Sequence, residues 1–337
     1  MLEKPDLDDR FLVSGLESAY GLRVAEVVFL PLGADVNTAV YRATSADGTA
    51  YFLKLIKGAF DEISVAVPRF LRAQGIQAII APFETADRLL WGRLGAYKMI
   101  LYPFVQGRNG YEAPLSEEHW VTLGAALRGV HTAVAPPALA SRIGRDCYSA
   151  RWREAVRAFS IQVERDSFDD PVAAQLAAFV HSRRDEVGQM VGRAEHLGAM
   201  LQSRSLPFVL CHADMHPGNL LIADDGAVFI VDWDNPVFAP KERDLMAIGA
   251  GMGGAEPDSR AEGWFYQGYG QTEVDLMALA YYRYERIIQD LAAFCEQVLS
   301  CSEGGQDREM AVRYLTGQFL PGREVETAFR TDTVSVR

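Results

Sequence analysis

FVLCHADMHPGNLLIADDGAVFIVDWD, residues 208–234, carries two short apolar runs, Phe208 to Cys211 and Val228 to Val231, separated by the turn signal Asp224-Asp225-Gly226. Aromatic and β-branched runs of this length, bounded by turn residues, predict two neighbouring strands. Asp214 and Asn219 then fall in a loop, and Asp232 falls at a strand end.

An aspartate, an asparagine and a second aspartate in this order form the set that phosphoryl transfer asks of a protein. One carboxylate orients and deprotonates the attacking hydroxyl, and oxygen ligands hold Mg²⁺ against the phosphates. The kinase pattern H-R-D-x-x-x-x-N followed by D-F-G reads here as His212-Ala213-Asp214 to Asn219, then Asp232-Trp233-Asp234. Two other readings stand beside it. Asp214 and Asn219 are also residues that shape turns around Pro217-Gly218, and His212, Asp214 and His216 are also residue types that bind zinc or iron. Pro217 and Gly218 disfavour a helix there, which removes the i, i+4 geometry of a helical metal-binding histidine pair.

HADMHPGN followed by IVDWDNP resembles the catalytic segment of the aminoglycoside phosphotransferase family, whose members share a two-lobed fold with protein kinases. Ile230 to Asp234, Ala239 to Met246 and Tyr281 to Ile287 resemble its spectinomycin phosphotransferase branch, as do Tyr102-Pro103-Phe104, Asn109-Gly110 and Gly33-Ala34-Asp35-Val36-Asn37-Thr38. The likeness spans residues 30 to 290. It implies an α+β fold with a nucleotide-binding N-lobe, residues 1–105, and a C-lobe, residues 106–337, holding the catalytic loop, the metal site and added substrate-binding helices. It further implies ATP or GTP with Mg²⁺, Asp214 as catalytic base, Asn219 and Asp232 as metal ligands, and His212 as a brace for the loop. Ala213 stands where regulated protein kinases have the arginine that receives an activation-loop phosphate, which implies activity without phosphorylation.

The bulk numbers agree with a soluble enzyme of this kind. With 49% apolar and 23% charged residues, 337 residues suffice for two domains or lobes. A net charge of -12 argues against a nucleic-acid partner and favours a cationic small molecule. Cys147, Cys211, Cys295 and Cys301 lack C-x-x-C spacing, so reduced, buried thiols are expected. The acidic start Met1 to Asp6 is unlike a secretory signal, and the apolar stretch Met99 to Val105, broken by Pro103, is too short to cross a bilayer. A cytoplasmic protein with no membrane contact and no obligate protein partner is the expectation.

Strand-like runs at 24–30, 38–43, 51–56 and 97–105, with a helix over 62–73 interrupted near Pro68, follow the order of a kinase N-lobe. Lys54 is a charge inside the apolar run Tyr51 to Ile56, a place a lysine seldom occupies without a partner. The resemblance makes it the residue that holds the α- and β-phosphates, paired with Glu62. Gly33 and Asn37 mark the phosphate-covering loop, and Tyr102 and Val105 the hinge that meets adenine. The better textual match to a dinucleotide fingerprint, Gly249 to Gly254, lacks a preceding strand and a βαβ unit.

Beyond residue 106, Ser116 opens a helix containing His131, read as structural. Residues 152–201 form a helical, charged insert with a start signal at Asp169-Asp170-Pro171, and 274–299 form another helix. The tail from Gly322 reads as loosely ordered. Asp234, Trp233 and Glu285 are the expected substrate contacts, with the two carboxylates meeting protonated amines. Spectinomycin or a related aminoglycoside or aminocyclitol is the leading substrate, and choline, homoserine, a ketoamine or another small alcohol is the alternative. Asn235, where the branch often has a carboxylate, opens the choice of substrate. A silent nucleotide-binding module would lack Lys54, Asp214, Asn219 or Asp232, and all four are present.

Overall fold

The computed structural model describes residues 3–33, 37–249, 258–300 and 305–335. Strands β1 (Val24–Leu30), β2 (Thr38–Ser45), β3 (Ala50–Lys57), β4 (Gly92–Leu94) and β5 (Tyr97–Pro103) form an antiparallel sheet in the order β1-β2-β3-β5-β4. Side chains alternate between its faces. Tyr41, Leu53, Leu55, Met99 and Leu101 lie on one, under Leu12 and Leu16 of the opening helix α1 (Asp9–Tyr20). Ile56 and Ile100 lie on the other against Val65 of α2 (Ile63–Ala73), and Lys54, opposite Ile100 in the register, shares that face.

Two details differ from the expectation. Helix α1 has a sequence signal, since Asp8 caps its Arg10 amide at 2.9 Å and Leu12 and Leu16 stand one turn apart. Helix α2 runs unbroken through Pro68, which is buried inside it.

After β5 the chain passes through residues 104–106 into β6 (Gly107–Asn109), which joins β9 (Leu220–Ala223) and β10 (Val228–Ile230) in the order β10-β9-β6. The two strands expected from the segment 208–234 are present as β8 (Val209–Cys211), ahead of the loop, and β10, but they are not neighbours: they lie in different sheets, and β10 pairs instead with β9, a strand the sequence reading did not give. Strand β8 pairs with β11 (Val237–Ala239), which also pairs with β7 (Gly144–Arg145). These strands fix both ends of the loop that carries Asp214.

Helices form the rest: α3 (Glu117–Thr132), α4 (Pro137–Ala140), α5 (Arg151–Arg165), α6 (Pro171–Ser182), α7 (Arg184–Gln202), α8 (Glu242–Leu245), α9 (Ser259–Tyr269), α10 (Leu276–Leu299), α11 (Gly305–Gln318) and α12 (Glu324–Ser335). Asp170 starts α6 as expected, its carboxylate accepting from Ala173 N at 2.8 Å. Helix α10 runs through the largest apolar core, with Ile287, Ile288 and Leu291 buried among residues of α5, α6, α7, α11 and α12. The tail is not loose. Val325 and Ala328 of α12 are buried, and Arg193 of α7 grips Asp332 through two bonds of 2.6 and 2.7 Å.

The sheet with its two helices and the mainly helical remainder make the two-lobed, kinase-like α+β fold. Among the described residues no helix is long and apolar enough to cross a membrane. Cys211 and Cys295 are buried free thiols, whereas Cys147 is exposed, contrary to expectation; Cys301 lies outside the described residues.

Candidate active site

The loop after β8 is held by a carboxylate that the sequence reading passed over. Asp244, at the end of α8's first turn and fully buried, accepts from His212 N at 2.8 Å and Ala213 N at 2.7 Å. It also accepts from His131 Nε2 at 3.0 Å, while His131 Nδ1 takes the Tyr269 hydroxyl at 2.7 Å. His131 is thus structural, as expected. Burial works against the Asp244 charge, but the hydrogen bond from His131 and the other donors outweigh it and hold its pKa below the ordinary value. Ala213 needs such support because its φ of 71° lies in the left-handed region, a conformation costing about 1 to 3 kcal/mol for a residue with a Cβ.

His212 braces the loop from within. Its Nδ1 accepts from Asp214 N at 3.2 Å, so Nε2 carries the proton and donates to Val231 O at 3.0 Å. Both ring nitrogens are engaged, which removes His212 from any metal set. His131, Cys211 and Asp244 also cluster with metal-like spacing. Asp244 there already receives three donors, so this cluster reads as a hydrogen-bonded strut.

Asp214 and Asn219 meet as the pattern requires. Asn219 Nδ2 donates to Asp214 O at 2.9 Å and approaches Oδ2 at 3.3 Å, which leaves its amide oxygen as the group able to ligate a cation. Asp214 Oδ1 accepts from Arg286 Nη1 of α10, and His216 Nε2 lies 3.8 Å from the same oxygen. Burial opposes the Asp214 charge; Arg286, then His216, overrule it and keep this carboxyl ionised well below the usual carboxylate range. Beside His216 a cavity of about 470 Å³ opens, lined by Tyr111, Trp120, Met215 and Ile248 among others.

Across the cleft, Lys54 reaches from β3 to two carboxylates, bonding Asp232 Oδ1 at 2.8 Å and both oxygens of Asp234 at 2.8 Å. Burial disfavours the lysine charge, and Asp232 and Asp234 more than restore it, so its pKa lies above the ordinary value. Of the two acids sharing one cation, Asp232 is shifted down and Asp234 up: burial opposes ionisation of both, Lys54 prevails at Asp232, and repulsion from Asp232 adds to burial at Asp234. Asp232 itself has a φ of 64°. Asp232 and Asn219 offer hard oxygen donors only, the chemistry that Mg²⁺ takes.

Three expected contacts are corrected. Glu62 does not pair with Lys54; it precedes α2, and its carboxylate accepts from Trp91 Nε1 at 3.2 Å and Arg142 Nη2 at 2.8 Å. Trp233 is 4% exposed, wedged edge-on against His212 with its Nε1 donating to Ile230 O at 3.1 Å, so it supports the loop and meets no substrate. Glu285 is buried against Arg153, with Oε2 accepting at 2.5 Å, so its charge is spent on the arginine. Asp234, half-buried at the cleft, stays within reach of one.

Tyr102 and Val105 are half-buried on the segment joining sheet and helices, and Gly33 and Asn37 flank residues 34–36, which lie outside the described residues. The glycine-rich stretch 250–254 also lies outside them. Besides Asp244, the reading missed Arg286. Its signal was a charge in the tyrosine-rich run Tyr281 to Ile287, shared there with Arg283 and Glu285, with Asp290 one turn on.

The fold has counterparts of known structure. A spectinomycin phosphotransferase in complex with ADP and spectinomycin superposes with a TM-score of 0.90 at 36% identity, covering 98% of this chain and 99% of that one. An AMP-bound complex of spectinomycin phosphotransferase gives 0.85 at 34% identity over 97% and 99%. A microcompartment-associated aminopropanol kinase shares the fold, with a TM-score of 0.62 at 15% identity over 98% and 99%. No curated protein sequence matches the chain. The profile of the phosphotransferase enzyme family matches residues 28–279, a span that runs from β1 to α10 and includes Lys54, Asp214, Asn219 and Asp232. The chain belongs to the phosphotransferase enzyme family.

Proposed function

We propose that the protein transfers the γ-phosphoryl group of ATP to a hydroxyl of spectinomycin or a related aminocyclitol. The observation that carries this reading is the match to spectinomycin phosphotransferase at 36% identity along nearly the whole of both chains. Asp214 accepts a hydrogen bond from the acceptor hydroxyl and takes its proton as the new P–O bond forms, while ADP departs with the electrons of the broken one. A strongly acidic Asp214 serves because phosphoryl transfer is largely dissociative, so the hydroxyl gives up its proton late. Lys54, freed from the two aspartates, meets the phosphates. Asn219 and Asp232 hold Mg²⁺, which when bound neutralises charge on the phosphates.

The acceptor's amines are read by few carboxylates. Glu285 is committed to Arg153 and Asp290 to Arg286, so Asp234, its side chain 40% exposed beside Lys54, remains as the acid that meets them. The enzyme acts in the cytoplasm, where ATP is supplied, without an obligate protein partner. The same site accommodates a second reading, a kinase of a smaller amino alcohol, favoured by the loss of Trp233 and Glu285 as substrate contacts.

The deciding experiment is a coupled ADP-release assay of purified protein with ATP and Mg²⁺ against spectinomycin, aminoglycosides, choline, homoserine, ketoamines and sugars. Release stimulated by spectinomycin is the expected result. Stimulation by an amino alcohol with none by any aminocyclitol transfers the assignment to the second reading.

A further inference from the structure

Arg286 has no part in the roles above, yet it makes the closest contact to Asp214. It projects from the middle of α10, and its Nη1 donates to Asp214 Oδ1. Its Nε lies 3.0 Å from Asp290 Oδ1 and 3.2 Å from Oδ2, one helical turn further on. Asp290 Oδ2 accepts in turn from Gln318 Nε2 of α11 at 2.7 Å. A row of four side chains therefore runs from the penultimate helix to the catalytic loop.

The row is built as a fixture. An exposed arginine meeting one carboxylate gains little and swings freely. Arg286 is anchored on both sides, and its side chain is 21% exposed. A carboxylate turns about its own χ2 in a broad well, so backbone bonds alone leave its plane undecided. Asn219, at 3.3 Å from Oδ2, is a long contact that does not settle it. A guanidinium with its donors in a rigid plane does.

We infer that Arg286 is a positioning residue for phosphoryl transfer: it pins Asp214 through Oδ1, presents Oδ2 to the acceptor hydroxyl, and is itself held by Asp290 and Gln318. The inference rests on reading Asp214 as the group that orients that hydroxyl. It gives α11 a part in catalysis although no residue of that helix touches a reacting atom. It also places a permanent cation beside the base, so the acceptor's ammonium groups must lie on the side of the site away from α10.

The test measures ADP release by wild type, Arg286→Ala, Arg286→Lys, Gln318→Ala and Asp214→Ala. Each is assayed with ATP and Mg²⁺, once with spectinomycin and once with water as the only acceptor. Arg286→Ala should lower kcat about a hundred-fold, the scale of a catalytic group displaced by an ångström, with KM for ATP unchanged. Millimolar guanidinium chloride should restore much of the lost rate. Arg286→Lys should stay impaired, because one ammonium cannot bridge Asp214 and Asp290, and Gln318→Ala should show a smaller fall in kcat of the same kind. If Arg286→Ala does not fold, the lysine and Gln318 variants carry the comparison.

Arg286→Ala turning over at more than half the wild-type rate overturns the inference. So does a loss that guanidinium leaves untouched in a protein melting like wild type. Full turnover by Asp214→Ala sinks the reading of Asp214 instead. A dead Asp214→Ala beside a fully active Arg286→Ala sinks only the role of Arg286.

Discussion

Ala213 and Asp232 both hold left-handed backbone, and both flank groups that the site needs. Asp244 maintains the first of these by taking two backbone amides and a histidine in the dry interior. Asp244→Asn keeps the shape but puts an amide where an acceptor is needed, and it should cost about 3 kcal/mol, the range for breaking a buried charged network. The linkage has a definite sign. The folded pKa of Asp244 lies below its unfolded value near 3.8, so its stabilisation is complete above that pH and is lost as pH falls through the folded pKa. Urea melts of both proteins from pH 7 to pH 3 check this. The gap between wild type and Asp244→Asn should be constant down to about pH 4 and then shrink; a gap that widens in acid refutes the role.

Asp214→Ala should cut kcat about a hundred- to ten-thousand-fold with nucleotide affinity nearly unchanged, read by ADP release and by calorimetry with ATP. Retention of more than about a tenth of wild-type kcat would remove Asp214 from the role. Asp214, Asn219, Asp232 and Lys54 were legible because three sit in one short segment whose order is chemical, and the fourth is a charge where an apolar strand tolerates none. Their partners were not. Lys54 had Asp61 and Glu62 close in sequence, but its carboxylates come from residues 232 and 234, and only the closed fold brings those near. Glu285 and Arg286 are adjacent in α10, and which one points to Asp214 follows from helix rotation against α5 and the loop.

At the scale of elements, helix crossings explain both what was read and what was missed. Helices α3 and α9 pack so closely that a Cβ on Gly268 would lie 1.8 Å from Val121 O, and one on Gly124 would lie 2.0 Å from Phe265 O. Only glycine allows the backbones this approach. Gly268→Ala should therefore destabilise by at least about 2 kcal/mol through forced separation of the helices. Because α3 carries His131, activity should fall with stability; an unchanged urea midpoint would show that the crossing yields without cost. Helix α12 escaped the sequence reading because its apolar residues are few, and its anchors are polar. Arg193 and Tyr284 hold Asp332, and Arg283 donates to Thr331, all from helices far away in the chain. The long helix α10 was visible because its apolar face is continuous over 24 residues.

The whole molecule is hinged at its charges. Lys54 on the sheet, clasped by Asp232 and Asp234 beneath it, is the ion cluster at the cleft, and its only allies across the divide among the described residues' ion pairs are the exposed Glu62 and Arg142. Replacing Lys54 by methionine removes the cation and leaves two carboxylates facing one another. Two consequences of opposite sign follow. ATP with Mg²⁺ should stabilise wild type by about 2.7 kcal/mol at a hundredfold excess over its dissociation constant, several degrees in melting temperature, and should stabilise Lys54→Met much less because a phosphate anchor is gone. Mg²⁺ alone should stabilise Lys54→Met more than wild type, since an unpaired pair of carboxylates repels itself and a divalent cation relieves that repulsion. Thermal melts of both proteins with no addition, with Mg²⁺ and with Mg²⁺ plus ATP separate the two effects. Equal responses of the two proteins to ATP would detach Lys54 from the nucleotide, and a smaller Mg²⁺ response in Lys54→Met would mean that Asp232 and Asp234 do not face a common cation.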